Sequence, residues 1–387
     1  MKHVDVIVIG AGSIGAMTLW QLSAHTDLNV VGLDAYPRMN LNSSYAGESR
    51  LFRTIIKEGE IFNDHVETSL KLWRALEDTS SHSILEQCGM LSIGPADIEP
   101  IRVTRQMAEQ YELPHDVFDS DTLFSQYPQF SPDSHDIGIL DTRGGVLRPE
   151  VAVAAAQLTA EEHGAQLHFR TPVTGLQSTS EGVEVTTEDD RYVAKHVIVA
   201  AGSWTSRLLP ELGDYVEARP IGSTWAMPHE ISQFSPEIFP GFIRDRIHED
   251  GQTSHWFGVP SLDGYSIKIG YYPAPDDDRV DINPDEELQK YSTQQLSHVG
   301  EMLQKCIPDL LPSPVRHEMH HDTYASNEMP IFDRLAADDR VIYATGMHGV
   351  AFKFTPAYGR MLTDMVTDGS SALWRDEFSL ASHERLG

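Results

Sequence analysis

The sequence predicts an α/β protein with a parallel sheet at its core. Three observations predict it. A β-branched apolar run, Val4 to Ile9, is followed directly by the glycine cluster Gly10-Ala-Gly12-Ser-Ile-Gly15, and helical periodicity then runs from Ser13 to about His25. A near-continuous apolar run, broken only by Asp5, suits a strand covered by helices on both faces, as a central parallel strand is. In the helix, Ile14, Met17, Leu19, Trp20 and Leu22 recur at helical spacing.

A second apolar strand, Leu28 to Leu33, ends in Asp34. Further along, helical patterns fit 60–77, 100–111, 149–164 and 284–305, and strand patterns fit 166–169, 182–186, 196–200 and 266–272. Pro- and Asp-rich stretches at 273–285 and 307–316 read as loops. A last strand, Val341 to Ala344, leads into a helix from about Pro356, with Thr355 as its N-cap and Gly369 as its terminator. The chain has 387 residues, which suggests two or three domains.

Lys and Arg total 29 against 58 Asp plus Glu, a formal charge of −29 that would repel nucleic-acid backbones and anionic lipid. No stretch of about 18 apolar residues marks a membrane span. The first apolar run lacks the flanks of a signal peptide. Cys88 and Cys306 are too isolated for a disulfide framework or a thiolate metal site. The expectation is a cytoplasmic protein without nucleic-acid or membrane partners.

The glycine cluster sits between strand and helix with an acid about two dozen residues on, the full context of a dinucleotide cradle. Gly10 permits the tight turn, Gly12 lets backbone approach a pyrophosphate, and Gly15 allows close helix–strand packing. The helix start, at Ser13 and Ile14, presents unpaired N–H groups to the phosphates. Asp34 can accept from ribose hydroxyls and would repel a 2′-phosphate. Two further glycine-ended strands, Val197 to Gly202 and Val341 to Gly346, favour FAD over NAD, because a flavin reaches farther across the sheet. The helix near Thr355 can aim its positive end at the flavin.

Four stretches together carry a resemblance: Val6 to Gly15; Ser43-Ser-Tyr-Ala-Gly-Glu-Ser-Arg-Leu-Phe-Arg53 with Glu58-Gly59; Gly258 to Gly270; and Gly346-Met-His-Gly-Val-Ala-Phe-Lys-Phe354. The chain resembles, over nearly its full length, the monomeric sarcosine oxidase and N-methyltryptophan oxidase family of FAD-dependent amine oxidases. The fold so implied is α/β (α+β): a Rossmann-type FAD-binding domain with a second, sheet-based substrate domain. The boundaries implied are 1–85, 145–215 and 322–387 for the first, and 86–144 and 216–321 for the second.

The resemblance matches Lys268 to the family's oxygen-activating lysine, a fixed cation that stabilises reduced oxygen beside the flavin. It matches Arg53 and Lys353 to the carboxylate-binding pair, and Arg50 to the arginine beside the flavin ring. Further cofactor contacts implied are Ser43, Ser44, Val173, Gly202, Gly346, His348, Gly349, Phe352 and Lys353. On the substrate side, Asp322 and Phe257 each stand where the family has a tyrosine, and Tyr272 where it has a histidine. Asp322 suggests room for a second cationic group on the substrate.

The family attaches FAD through a cysteine, and His320 falls at that position here. Cys306 lies fourteen residues upstream of it, beyond a Pro-rich loop. Non-covalent FAD is therefore the expectation, with a histidyl link through His320 as the alternative. His317, His320 and His321 with Asp322 would converge on a metal only in a helix; the alternation of Met319, His321 and Thr323 reads as a strand, and no metal is expected.

The activity implied is oxidation of an amino acid with a secondary (N-methyl or cyclic) amine, giving an imine that hydrolyses and hydrogen peroxide. Alternatives are a flavin dehydrogenase with a protein or quinone acceptor, and an oxidase of a primary or basic amino acid. An NAD dehydrogenase and a non-catalytic flavin protein are the more distant readings. The partners expected are a small amino acid and O₂, with the chain a monomer. Against a charge of −29, Arg50, Arg53, Lys268 and Lys353 would form a local positive well, and a zwitterion or cationic amino acid fits the wider field better than a dicarboxylate.

Overall fold

The computed structural model describes residues 1–41, 43–247, 251, 253–272 (Tyr272 by its backbone alone) and 281–386. Strand β1 (Lys2–Ile9), helix α1 (Ser13–His25) and strand β2 (Val30–Leu33) form the expected N-terminal unit. β1 pairs in parallel with β2 on one side and with the strand Arg191–Val199 on the other. Val6, Ile7 and Val8 are wholly buried. α1 packs between the helices Pro149–Glu162 and Thr355–Thr367 on one face of this sheet. β2 starts two residues later than its apolar run, because the Asn29 carbonyl turns to accept from the Asp5 and Val6 N–H groups.

The first sheet has eight strands, and beyond β1 and β2 it draws on 166–168, 173–178, 183–187, 191–199, 331–335 and 338–345. The strand 191–199 splits its outer edge. Its first half pairs with 183–187, while Val197–Val199 pair in parallel with Val341–Tyr343. A second eight-stranded sheet runs in the order 316–325, 216–226, 267–272, 253–258, 241–247, 90–95, 136–141 and 115–118. It has its own core around Phe130, Phe234, Phe239, Phe242 and Trp256. A small third sheet joins Arg50–Phe52, Gly145–Leu147 and Leu85–Glu86.

Most elements fall within a few residues of their sequence patterns, and three differ. The helix expected over 284–305 is Thr293–Cys306, because Ser292 and Gln295 close a capping box that fixes its start. Thr355 is the first helical residue and Phe354 the cap; the Thr355 hydroxyl donates back to the Phe352 carbonyl at 3.0 Å. The pattern at 60–77 is a short 3₁₀ turn, Glu60–Phe62, followed by an α-helix to Ser80. Of the loop expected at 273–285, residues 273–280 lie outside the described residues. Cys88 and Cys306 are free thiols. Among the described residues no helix is long and apolar enough to cross a membrane.

Candidate functional site

A cavity of about 840 Å³ opens at the C-terminal ends of the parallel strands and reaches the second sheet, the position where open α/β sheets hold their ligands. One end is glycine backbone. Gly10 has φ +91°, and a Cβ there would stand 2.4 Å from the Ala200 carbonyl oxygen. Gly15 does not line the cavity. A Cβ on it would come within 1.8 Å of the Gly10 carbonyl oxygen, so its absence lets α1 close onto β1. Gly12, Ser13 and Ile14 face the cavity at the start of α1, which no side chain caps. The Asp34 carboxylate accepts from the Ala11 N–H at 2.7 Å and the Tyr36 N–H at 2.8 Å. Burial pushes this carboxyl up, and the two donors hold it down.

Thr345-Gly346, the segment His348–Lys353 and Ala201-Gly202 from the neighbouring strand ends line the middle of the cavity, as do Ser43, Ser44 and Val173. His348 holds φ +53° and is locked there: its N–H donates to the Thr323 carbonyl at 3.0 Å, and its Nε2 accepts from the Ala325 N–H at 3.3 Å.

Two clusters of charge stand on the cavity wall. In the first, Lys268 projects from the strand Ile267–Tyr272 and donates to the Gly47 carbonyl at 2.8 Å and the Ser49 carbonyl at 3.3 Å. Its ammonium also lies 5.5 Å from the Trp225 ring. Burial, then the nearby Arg50, depress its pKa well below the usual lysine range. Arg50 fans its guanidinium over the carbonyls of Ser44, Ala46 and Ser49 at 2.6–2.7 Å. Asp322 joins this cluster. Its carboxylate is buried, accepts from the Thr323 N–H at 2.8 Å and faces Ser44 and Arg50. Burial raises it to about 6 against the pull of its donors.

The second cluster is Arg53, Lys353 and Glu58. Arg53 and Lys353 are 8% and 3% exposed, so neither is a solvated surface charge. Arg53 is bonded to the Glu58 carboxylate, and Lys353 Nζ stands 3.9 Å from the same oxygen while donating to the Val350 carbonyl at 2.6 Å. Burial would raise Glu58, but the two cations outweigh it and hold the carboxyl at about 2. Burial lowers Lys353 to about 7, partly offset by Glu58.

Phe257 lines the cavity from the second sheet. The side chain of Tyr272 lies outside the described residues. His320 sits apart from the cavity wall. It is on the strand Arg316–Ala325, with Nδ1 3.2 Å from the Leu41 carbonyl and Nε2 buried on the Gly47 side, beside Lys268. The strand sends its histidines to different partners: His317 stacks on Tyr291 at 4.2 Å, and His321 contacts the Ser203 hydroxyl at 3.1 Å. Among the described residues, no three His, Cys, Asp or Glu side chains are grouped to hold a metal. Glu58, Lys57, Trp204 and His255 also line the cavity, and of these only Glu58 falls in a stretch that carries the family resemblance.

The family model DAO, FAD dependent oxidoreductase, matches residues 5–365. The chain belongs to this family. As a DAO family member it is an FAD-dependent oxidoreductase. It is 27% identical over 372 residues to a monomeric sarcosine oxidase of Streptomyces avermitilis, covering 95% of this chain and 94% of that protein. It is also 27% identical over 380 residues to an N-methyl-L-tryptophan oxidase of Yersinia pestis (strain Pestoides F), covering 97% and 98%. Among solved structures, its fold is similar to that of NikD, an unusual amino acid oxidase essential for nikkomycin biosynthesis (TM-score 0.83, 22% identity, 98% of each chain). It is similar also to L-proline dehydrogenase from P. horikoshii (TM-score 0.81, 19% identity, 98% and 97%).

The residues present fit this DAO family member's cofactor. Gly12 carries no Cβ where the wall must admit a pyrophosphate, and the α1 N–H groups are uncapped. Asp34 has lone pairs left for ribose hydroxyls after its two backbone donors.

Proposed function

We propose that the chain oxidises an amino acid bearing a secondary amine, N-methyl or cyclic, with O₂ as the electron acceptor, yielding an imine and hydrogen peroxide. The observation that carries this reading is the convergence of Arg53 and Lys353 in one cavity with the glycine cradle and Lys268. Both curated relatives are named for N-methyl amino acids, which supports the amine class.

Bound FAD supplies a two-electron acceptor for the C–H bond beside the nitrogen and returns those electrons to O₂. The protein's part is positioning and electrostatics. Arg53 offers a planar fork and Lys353 a point charge to the substrate carboxylate, fixing the C–H bond in place. The same positive wall favours loss of the proton from the substrate ammonium, the form able to give up a hydride equivalent. Phe257 gives the substrate an apolar surface. Lys268, tied to two carbonyls, keeps a cation where reduced oxygen develops negative charge. Arg50, held by three carbonyls, would lie beside the bound flavin. Asp322 faces Arg50 and Ser44, an arrangement that supports holding Arg50 more than receiving a second cationic group.

Non-covalent attachment is part of this proposal. His320 does not line the cavity and its Nε2 is buried, and Cys306 is buried in the second core. A peroxide-coupled screen across N-methyl, cyclic, primary and basic amino acids tests the amine class. Turnover restricted to primary amines would overturn it, and turnover with dye acceptors but no peroxide would assign a dehydrogenase.

A further inference from the structure

Lys57 lies four residues past Arg53, in the turn that follows the strand Arg50–Phe52. That turn is fixed from below. The Asp141 carboxylate accepts from the Thr54 hydroxyl at 2.7 Å, the Thr54 N–H and the Ile55 N–H at 3.1 Å, and Ile55 and Ile56 are buried. A side chain on so constrained a backbone has a defined reach. Lys57 lines the cavity and is half-buried. Among the described residues its ammonium has neither an ion-pair partner nor a hydrogen-bond acceptor.

The charges around it do not balance. Arg53, Lys57 and Lys353 all line the cavity, against the carboxylate of Glu58 in the wall and that of Asp245 beside Lys57. Burial and then Arg53 lower Lys57, partly offset by Asp245 and Glu58, and Lys57 contributes to lowering Lys353. Asp245 is the next carboxylate, and it is committed to His255 Nδ1 at 2.6 Å. An α-carboxylate held by Arg53 and Lys353 still leaves the Lys57 ammonium without a direct acceptor. A half-buried ammonium on a cavity wall with no protein acceptor is free to take one from a ligand. From the second sheet, Ile243 and Phe257 line the same cavity with apolar surface suited to methylene groups.

We propose that Lys57 is a specificity-determining residue that receives a second carboxylate, so that the favoured substrates are N-substituted or cyclic amino acids with an acidic side chain. This rests on the carboxylate-binding reading given above and extends it. The net charge of −29 opposes the approach of a dianion but is screened by salt; the wall charge acts on the bound state at short range.

The test uses FAD-loaded enzyme at fixed ionic strength, titrated with butyrate, pentanoate and hexanoate and with succinate, glutarate and adipate, reading the flavin absorbance change. At least one dicarboxylate is expected to bind about tenfold more tightly than the monocarboxylate of equal length. In K57M that preference should vanish, and in K57R it should survive. Absence of a preference in the wild type, or its persistence in K57M, overturns the role of Lys57 alone. If no carboxylate of either series perturbs the flavin, the function proposed for Arg53 and Lys353 falls with it.

Discussion

Lys353 Nζ lies 3.9 Å from the Glu58 oxygen that Arg53 already holds, so two cavity cations share one counter-ion. The sharing has a structural cost if broken. E58Q leaves both cations uncompensated and should destabilise the fold by about 3 kcal/mol at neutral pH. Glu58 has a folded pKa near 2 against an ordinary 4.5, so its stabilisation is complete above about pH 4.5 and disappears as pH falls toward 2. Denaturant melts of both proteins between pH 7 and pH 3 should show the gap narrowing with acid. A gap independent of pH would contradict the pairing.

Lys353 gives a pH dependence of the opposite sense in binding. Its ammonium is lowered to about 7 by burial, so the charged form is lost as pH rises through that value. The affinity of the FAD-loaded enzyme for a simple carboxylate, which has no amine to titrate, should weaken above about pH 7. K353M should bind weakly throughout and lose the dependence. A flat wild-type profile would remove Lys353 from the carboxylate site.

Lys268 should matter to only one half of the catalytic cycle. K268M is expected to leave anaerobic flavin reduction within a few-fold of wild type and to slow reoxidation by about a hundredfold or more, the size of a lost electrostatic stabiliser. Burial and Arg50 depress its pKa, so wild-type reoxidation should slow with rising pH at values well below 10.5. Stopped-flow traces of the two half-reactions separate these effects.

Gly15 ties cofactor binding to the fold. A methyl group at that position meets the Gly10 carbonyl oxygen at 1.8 Å. G15A should therefore force α1 away from β1, lower the Tm by about 5 °C or more, and yield protein with little bound FAD. Full flavin content at an unchanged Tm would show that the close approach is not required.

Acid precipitation reads the mode of attachment. A colourless pellet and yellow supernatant are expected, in keeping with the buried His320 Nε2. Colour retained in the pellet would mean a covalent flavin.

The N-terminal unit was legible in the sequence because its signals are local. An apolar run, three glycines and an acid follow one another within 34 residues, and each does its work next to its neighbours. The helix after Ser292 was overextended because 284–292 keeps polar, helix-compatible residues, while its start depends on the Ser292–Gln295 box. Much of the second sheet was not read, since strands such as Gly241–Ile247 carry charges at Arg244 and Asp245 that break the alternation. Arg244 is fully buried there, donating to the Cys306 carbonyl at 3.0 Å and the Ser131 carbonyl at 2.6 Å. Lys57 was missed for a similar reason. It shares the cavity wall with Lys353, which is distant in sequence, and its turn is anchored by the equally distant Asp141.

The most direct test is a two-step titration of the FAD-loaded enzyme with an N-methyl or cyclic amino acid. Anaerobic mixing should bleach the flavin, and admission of air should restore its spectrum while releasing one hydrogen peroxide per flavin reduced. A flavin that no secondary-amine amino acid bleaches, or one that recovers in air without peroxide, would contradict the assignment.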